Sequence, residues 1–166
     1  MEFVEATESH IPAIAVFFRE AWNMIGPDAP GWAGADPDVI EHLTRPDKLK
    51  ERIGGPERRM FLAVADQRIV AFAATRWSGE GTAELAGIIV LQEMVGQGIG
   101  TPLLQVAIER LRADGASSVF VRTEVDNERA LGFYRSRGFS DERNLTEDVE
   151  GTEVAVIELW RPIGTD

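Results

Sequence analysis

Three glycines within five residues, Gly96, Gly98 and Gly100, stand directly ahead of an apolar run with helical spacing: Leu103, Leu104, Ala107, Ile108 and Leu111. Glycine weakens regular structure, so such a cluster points to a task performed by bare backbone. One such task is anion binding. The first turn of a helix carries unpaired N–H groups and the positive end of the helix dipole, and residues without a Cβ let a phosphate come close to them. Read this way, Val95, Gly96, Gln97, Gly98, Ile99, Gly100 and Thr101 form a phosphate cradle. A tight strand-to-helix connection also uses glycines for geometry alone, and the residues by themselves do not separate the two uses. Two familiar phosphate motifs fit poorly. Thr101 stands where a dinucleotide fingerprint needs its third glycine, and no lysine follows the glycines as a P-loop requires.

The cradle needs a strand before it and a helix after it, and the pattern supplies both. "TAELAGIIVL" at 82–91 reads as a strand, and the helix runs from about Gly98 to Asp114. Upstream, "MFLAVA" and "RIVAFAATRW" flank the turn "DQ" at 66–67, and "SGEG" at 78–81 marks a second turn, which gives an antiparallel meander. Downstream, "SVFVRTEV" at 118–125 follows a helix that follows a strand, so it is expected to run parallel to 82–91. Asp126 or Asn127 caps a helix through Arg137, with Gly138 at the position after its end. "FVEAT" at 3–7 reads as a first strand, and "EVAVIELW" at 153–160 as the last. Thr7 or Ser9 caps a helix whose apolar stripe is Ile11, Ile14, Ala15, Phe18, Trp22 and Ile25. A Pro/Gly/Asp loop at 26–38 precedes a short helix that starts at Asp36–Pro37, faces inward with Val39, Ile40 and Leu43, and is interrupted by Pro46. The order predicts one α/β domain over 1–166, with a mixed sheet of six to seven strands and about four helices.

Composition narrows the function classes. The chain has 166 residues, 44% of them hydrophobic, enough for a single globular core. No apolar stretch approaches the roughly 20 residues of a membrane span, and the acidic start lacks a secretory signal layout. The absence of cysteine excludes disulfides and thiolate metal sites. His10 and His42 are isolated, so no metal site is suggested. A cytoplasmic protein is the expectation. The formal net charge of −11 argues against nucleic acid as a partner and is compatible with a cationic or amine substrate.

At this point the sequence resembles the GCN5-related N-acetyltransferase (GNAT) superfamily. That family places Gln/Arg-x-x-Gly-x-Gly/Ala between a strand and a helix, and here the segment is Val95 to Gly100. A second block, "DNERALGFYRSRGF" at 126–139, resembles the family's Asn-x-x-Ala-x-x-Phe-Tyr-x-x-x-Gly-Phe segment. The stretch "VEATESHIPAI" and the hairpin "VADQRIVAFA" are similar to further family elements, so the resemblance spans most of the chain. It implies acetyl-CoA as cofactor. Two parallel strands would splay and hold pantetheine between them, against the backbone of Ile88, Ile89 and Val90. The pyrophosphate would sit on the loop amides from Gly96 to Thr101. Val95 departs from the motif's usual Gln or Arg, and Gln97 replaces a frequent basic residue.

The implied reaction is attack of an amine, on a small molecule or a peptide, on a thioester. An alkylammonium has a pKa of about 10, so a base must take its proton. A backbone N–H around Ile89 can stabilise the oxyanion. The resemblance makes Tyr134, the chain's single tyrosine, the proton donor to the leaving thiolate. It makes Glu84, 14 residues before Gly98 (98 − 84), the candidate base. Barring a bulge, Glu84, Ala86 and Ile88 share a face. Asn127 is expected to cap its helix and touch pantetheine, and Arg129 to reach a CoA phosphate or to lie solvated on the surface. The acceptor would be set by the first two helices and their loop, with Trp22, Asp28, Trp32, Asp36 and Asp38. A homodimer is compatible with this reading. The alternatives are a non-catalytic CoA or acyl-CoA sensor on the same fold, and a nucleotide-binding module disfavoured by Thr101.

Overall fold

The computed structural model describes residues 1–25, 38, 41–42, 44–149 and 151–164. The loop at 26–37, with Asp28, Trp32, Asp36 and Pro37, lies outside them, as do Val39, Ile40 and Leu43. Trp22 and Ile25 belong to a described helix, but their side chains lie outside the description.

Seven strands form one mixed sheet in the order β1-β2-β3-β4-β5-β7-β6. They are β1 (Glu2–Glu5), β2 (Arg58–Ala65), β3 (Arg68–Gly79), β4 (Thr82–Val90), β5 (Ser118–Glu124), β6 (Ser140–Val149) and β7 (Thr152–Pro162). The helices that bear on the site are α1 (Ile11–Ile25), α2 (Pro46–Lys50), α3 (Gly100–Ala113) and α4 (Glu128–Ser136). The expected meander is β2-β3-β4. Its first turn places Asp66 and Gln67 at φ 50° and 64°, the mirror-image turn that matches strand twist. The expected parallel neighbour of 82–91 is β5.

Two helices cover opposite faces of the sheet. Phe72 of β3 packs edge-on against Phe17 and Phe18 of α1, with ring centroids 5.7 and 4.8 Å away. Arg59, on the alternate face of β2, reaches the end of α3, where it donates to both carboxylate oxygens of Asp114 at 2.7 and 3.0 Å and to Glu5 at 2.8 Å. The stripe predicted for α3 is fully buried: Leu103, Leu104, Ala107, Ile108 and Leu111.

The structure adds one strand to the sequence reading. Residues 140–149, "SDERNLTEDV", form β6 at the sheet edge, in a hairpin with β7. Its side chains from Ser140 to Asp148 are exposed or half-buried, so it carries no apolar alternation to find. The bounds also shift: the first strand ends at Glu5 rather than at residue 7, and the helix after the glycines begins at Gly100 rather than Gly98.

The feature that makes a site is where β4 and β5 part. Their parallel pairing covers only Thr82–Leu85 against Ser118–Val121. The β3–β4 register slips between Ala74 and Thr75, which face Gly87 and Leu85, so Ala86 is bulged out. Beyond the bulge, Gly87–Val90 pair with β3 alone, while Arg122–Glu124 pair with β7 alone. A bulge bends and twists its strand, so β4 turns away from β5 and leaves one backbone edge of Ile88–Val90 unpaired.

Candidate active site

The opening between β4 and β5 leads into a cleft of about 500 Å³. Ile88, Ile89 and Val90 form one wall. Gln92, Met94, Val95, Gly96, Gly98, Ile99, Gly100 and Thr101 close one end. Asn127, Arg129, Ala130, Phe133, Tyr134 and Arg137 form the other wall. Thus the expected cofactor residues meet around one space, except Gln97. That side chain is exposed and donates from Nε2 to the Glu93 carbonyl at 3.3 Å.

The glycine loop has the geometry its composition predicts. Gly96 and Gly98 sit at φ 85° and 75°, where a side chain is strained. Gly100 has a different reason: a Cβ there would stand 2.9 Å from Phe133 Cε2, so this glycine lets α3 start against the α4 ring. The first backbone N–H of α3 with a helical partner is that of Leu103, which donates to the Ile99 carbonyl at 3.3 Å. Pro102 has no N–H. Among the described residues, the amides of Gly96, Gly98, Ile99, Gly100 and Thr101 donate to no backbone or side-chain acceptor. They form a compact group of free donors at the positive end of a helix, the environment that favours an anion.

Asn127 caps α4, its Oδ1 accepting the Ala130 N–H at 3.2 Å, so the expected cap is present and the residue also lines the cleft. The other end of α4 closes with Gly138 at φ 88° and the Phe139 N–H donating to the Tyr134 carbonyl at 3.1 Å. This fixes the helix that carries Tyr134. The ring is buried, with Phe133 and Phe139 edge-on at 5.3 and 5.4 Å. Burial pushes its phenol pKa up to about 12. Its hydroxyl has no hydrogen-bond partner among the described residues.

Sequence reasoning missed Gln92, Met94, Ala130, Phe133 and Arg137. Of these, Arg137 matters most. Its guanidinium lies 3.8 Å from the Phe133 ring centroid, donates to Thr101 Oγ1 at 2.8 and 2.5 Å, and donates to the Phe133 carbonyl at 3.1 Å. No carboxylate neutralises it among the described residues. It places a positive charge beside the free amides, against Thr101. The signal was the "RSRGF" end of the second block, where two arginines flank Ser136 and only the three-dimensional fold tells them apart. Arg135 turns outward to Glu142, at 2.8 and 2.7 Å.

Glu84 does not line this cleft. It lies before the bulge, opposite Arg76 in the β3–β4 register, and its carboxylate accepts from Arg76 Nε at 3.1 Å and also from the terminal guanidinium nitrogen. The bulge at Ala86 breaks the shared face with Ile88 that simple alternation predicts.

The sequence profile of the Acetyltransferase (GNAT) family matches residues 18–139, and the chain belongs to that family. It is 32% identical over 89 residues to N-alpha-acetyltransferase 30 of Schizosaccharomyces pombe, a stretch that is 51% of this chain and 59% of that protein. It is 31% identical over 96 residues to the ribosomal protein bS18-alanine N-acetyltransferase of Salmonella typhimurium, covering 56% of this chain and 64% of that protein. The matches therefore span less than two thirds of these relatives. The fold is shared with the PaiA N-acetyltransferase of Thermoplasma acidophilum, solved in complex with coenzyme A (TM-score 0.69, 19% identity, 98% of this chain and 99% of that one). It is shared equally with the ribosomal-protein-S18-alanine N-acetyltransferase of Escherichia coli (TM-score 0.69, 18% identity, 99% and 95%). Among the described residues no helix is long and apolar enough to cross a membrane, and no acidic or histidine cluster could hold a metal ion.

Proposed function

We propose that this protein transfers an acetyl group from acetyl-CoA to a primary amine by direct attack in a ternary complex. The carrying observation is the set of five unpartnered amides from Gly96 to Thr101, placed at the mouth of the cleft that also holds Tyr134. In this reading the amides and Arg137 receive the pyrophosphate. Pantetheine lies against the open backbone edge of Ile88–Val90, with Asn127 on the other wall. Arg129, also at the cleft, is available to a CoA phosphate.

Tyr134 acts on the departing sulfur. With a pKa of about 12 it is fully protonated at neutral pH, so it is a donor and not a base. A thiol such as that of CoA has a pKa of about 8.5, so full transfer from this phenol is uphill by about 5 kcal/mol. The hydrogen bond it gives to the developing thiolate is therefore its main contribution; the nitrogen loses two protons between ammonium and amide, one to the base before attack and one, after attack, that ends on the thiolate or in solvent. Glu84 is the base in this scheme. It lies just before the bulge at which the two parallel strands part, and it takes the ammonium proton directly or through water. Its carboxylate is held in place by the guanidinium of Arg76.

Incubation with acetyl-CoA and a mixture of amines, read by free-thiol release, tests the transferase reading. Release of CoA that depends on the amine supports it. Tight acetyl-CoA binding without release for any amine replaces it with the non-catalytic sensor.

A further inference from the structure

A second cleft, of about 240 Å³, lies on the α1 face of the sheet, on the far side of the β4 bulge. Met60, Phe72, Ala74 and Ala86 give it an apolar floor, and Arg52, Arg58 and Arg76 stand around it. Ala86 lines this cleft and Ile88, two residues along the same strand, lines the first, so the two clefts border β4 on either side of Gly87.

Its charges are unequally matched. Arg76 is paired with Glu84, and Arg59, whose residue also borders the cleft, is held by Glu5 and Asp114. The side chains of Arg52 and Arg58 make no hydrogen bond or ion pair with any described residue. Arg52 is half-buried, and its pKa is lowered first by burial and then by the nearby charge of Arg58, with Glu51 opposing only in part. Two unneutralised guanidiniums face one small space in a chain whose formal net charge is −11. Burying part of one of them beside a like charge costs stability. An anion between them reverses that cost, because guanidinium groups bind carboxylates through short paired hydrogen bonds.

We propose that this cleft binds the acceptor and that Arg52 and Arg58 recognise a carboxylate on it: the substrate is an amine that carries a carboxylate within a few carbons of its nitrogen. The inference rests on the transferase reading for its use of the word acceptor. The apolar floor holds the short carbon skeleton, the arginines hold one end, and the amine is left to reach across Ala86 and Gly87 toward the cofactor cleft. The cleft's size suits an amino acid or a single terminal residue. The overall acidity of the chain, which by itself suggests a cationic acceptor, is reversed locally at this position.

The test compares 4-aminobutanoate with 4-aminobutanamide, and glutamate with glutaminamide, in wild type, Arg52→Gln and Arg58→Gln. In turnover, the carboxylate-bearing member should be preferred by about tenfold or more in kcat/KM, the scale of one charge-assisted contact. Arg52→Gln should raise its KM by about tenfold with kcat little changed, and leave the amide's KM in place. Folding does not confound the result, because the Arg52 guanidinium makes no hydrogen bond or ion pair among the described residues: its variant should melt at the wild-type temperature or above. Tripeptides that begin with Glu or Gln distinguish a free amino acid from a peptide N-terminus. Calorimetric titration of the same amines into the CoA-loaded protein provides a readout without turnover. Binding that needs the carboxylate and Arg52, with no acetyl transfer, keeps the site and removes the transferase reading. Transfer without a carboxylate preference, or with spermidine favoured over every carboxylated amine, overturns this inference and leaves the transferase reading standing.

Discussion

Along the first cleft, the groups offered to a ligand are amides between Gly96 and Thr101 and the open edge of Ile88–Val90; along the second they are the guanidinium tips of Arg52 and Arg58. A site built from backbone must be paid for in glycine, positive φ and a helix start, all of which leave marks at fixed spacing. A site built from long side chains draws on α2's trailing turn, on β2, on β3 and on β4, and no spacing connects them. The cofactor side is therefore conservative in its design and readable, while the opposite side can change its chemistry by exchanging single side chains on an unaltered sheet.

The sharpest test of the first cleft is Tyr134→Phe. It should lower kcat by about 10²–10⁴ with acetyl-CoA affinity little changed, the range for a group acting on a proton in the transition state. Near-full turnover in a chemistry-limited assay would remove Tyr134 from the mechanism. The same residue offers an optical check, because it is the chain's single tyrosine. Ultraviolet titration of the ligand-free protein should show one phenolate transition near pH 12. The sign for stability follows. The unfolded phenol ionises at about 10, so folded-state stability of about 2–3 kcal/mol is present below pH 10 and is lost as pH rises toward 12. Tyr134→Phe should flatten that alkaline slope.

Next in size, Gly98→Val should weaken CoA binding by about 10²-fold while circular dichroism stays native. Its Cβ has open space, so the effect arises from φ 75° and the approach of phosphate, not from a clash. Gly100→Val differs in kind: it must displace the Phe133 ring and should also lower the melting temperature. Equal CoA affinity of Gly98→Val and wild type by calorimetry would dissolve the phosphate cradle.

Just before the bulge, Glu84→Gln should reduce the rate near neutral pH by about tenfold, with partial recovery at alkaline pH, where bulk solvent supplies free amine. A pH–rate profile of unchanged height and shape would make Glu84 a partner of Arg76 only. The smallest effect concerns Val95→Arg. A guanidinium at the vacated position should tighten CoA binding by about 0.5–2 kcal/mol and lose that gain in salt. Weaker binding would show that half-buried Val95 is a packing contact under the loop.

Legibility followed the physics of each element. Strands β2, β3 and β5 are apolar and flanked by turn residues, and α3 keeps an unbroken inner stripe, so their positions were readable. β6 is an edge strand with charges at Asp141, Glu142, Arg143, Glu147 and Asp148, the composition that blunts unwanted strand pairing, and it carries no strand signal in the sequence for the same reason. In the site, Asn127, Tyr134 and the glycines were readable because a cap, an aromatic in a block and a φ above zero are local requirements. The placement of Glu84 depended on a bulge that no residue type announces. Arg137 depended on which side of α4 faced the loop.

The brevity of the parallel pairing between β4 and β5 bears on how the molecule opens. Strands β1 to β4 are successive in the chain and adjacent in the sheet, and α3 packs on them. β5, β7 and β6 form a second antiparallel group with long ladders of its own. The strand ladder between the two groups covers just Thr82–Leu85 and Ser118–Val121, extended at one end by the N–H groups of Ser117 and Ser118, which donate to the Gly81 carbonyl. Cooperative units tend to separate where few contacts cross, so partial unfolding should begin at this line. A bound CoA would touch Ile88–Val90 on one group and Asn127–Tyr134 on the other. It would therefore act as a splint, and by mass action it would protect the amides along that line from hydrogen exchange more than those in the middle of either group.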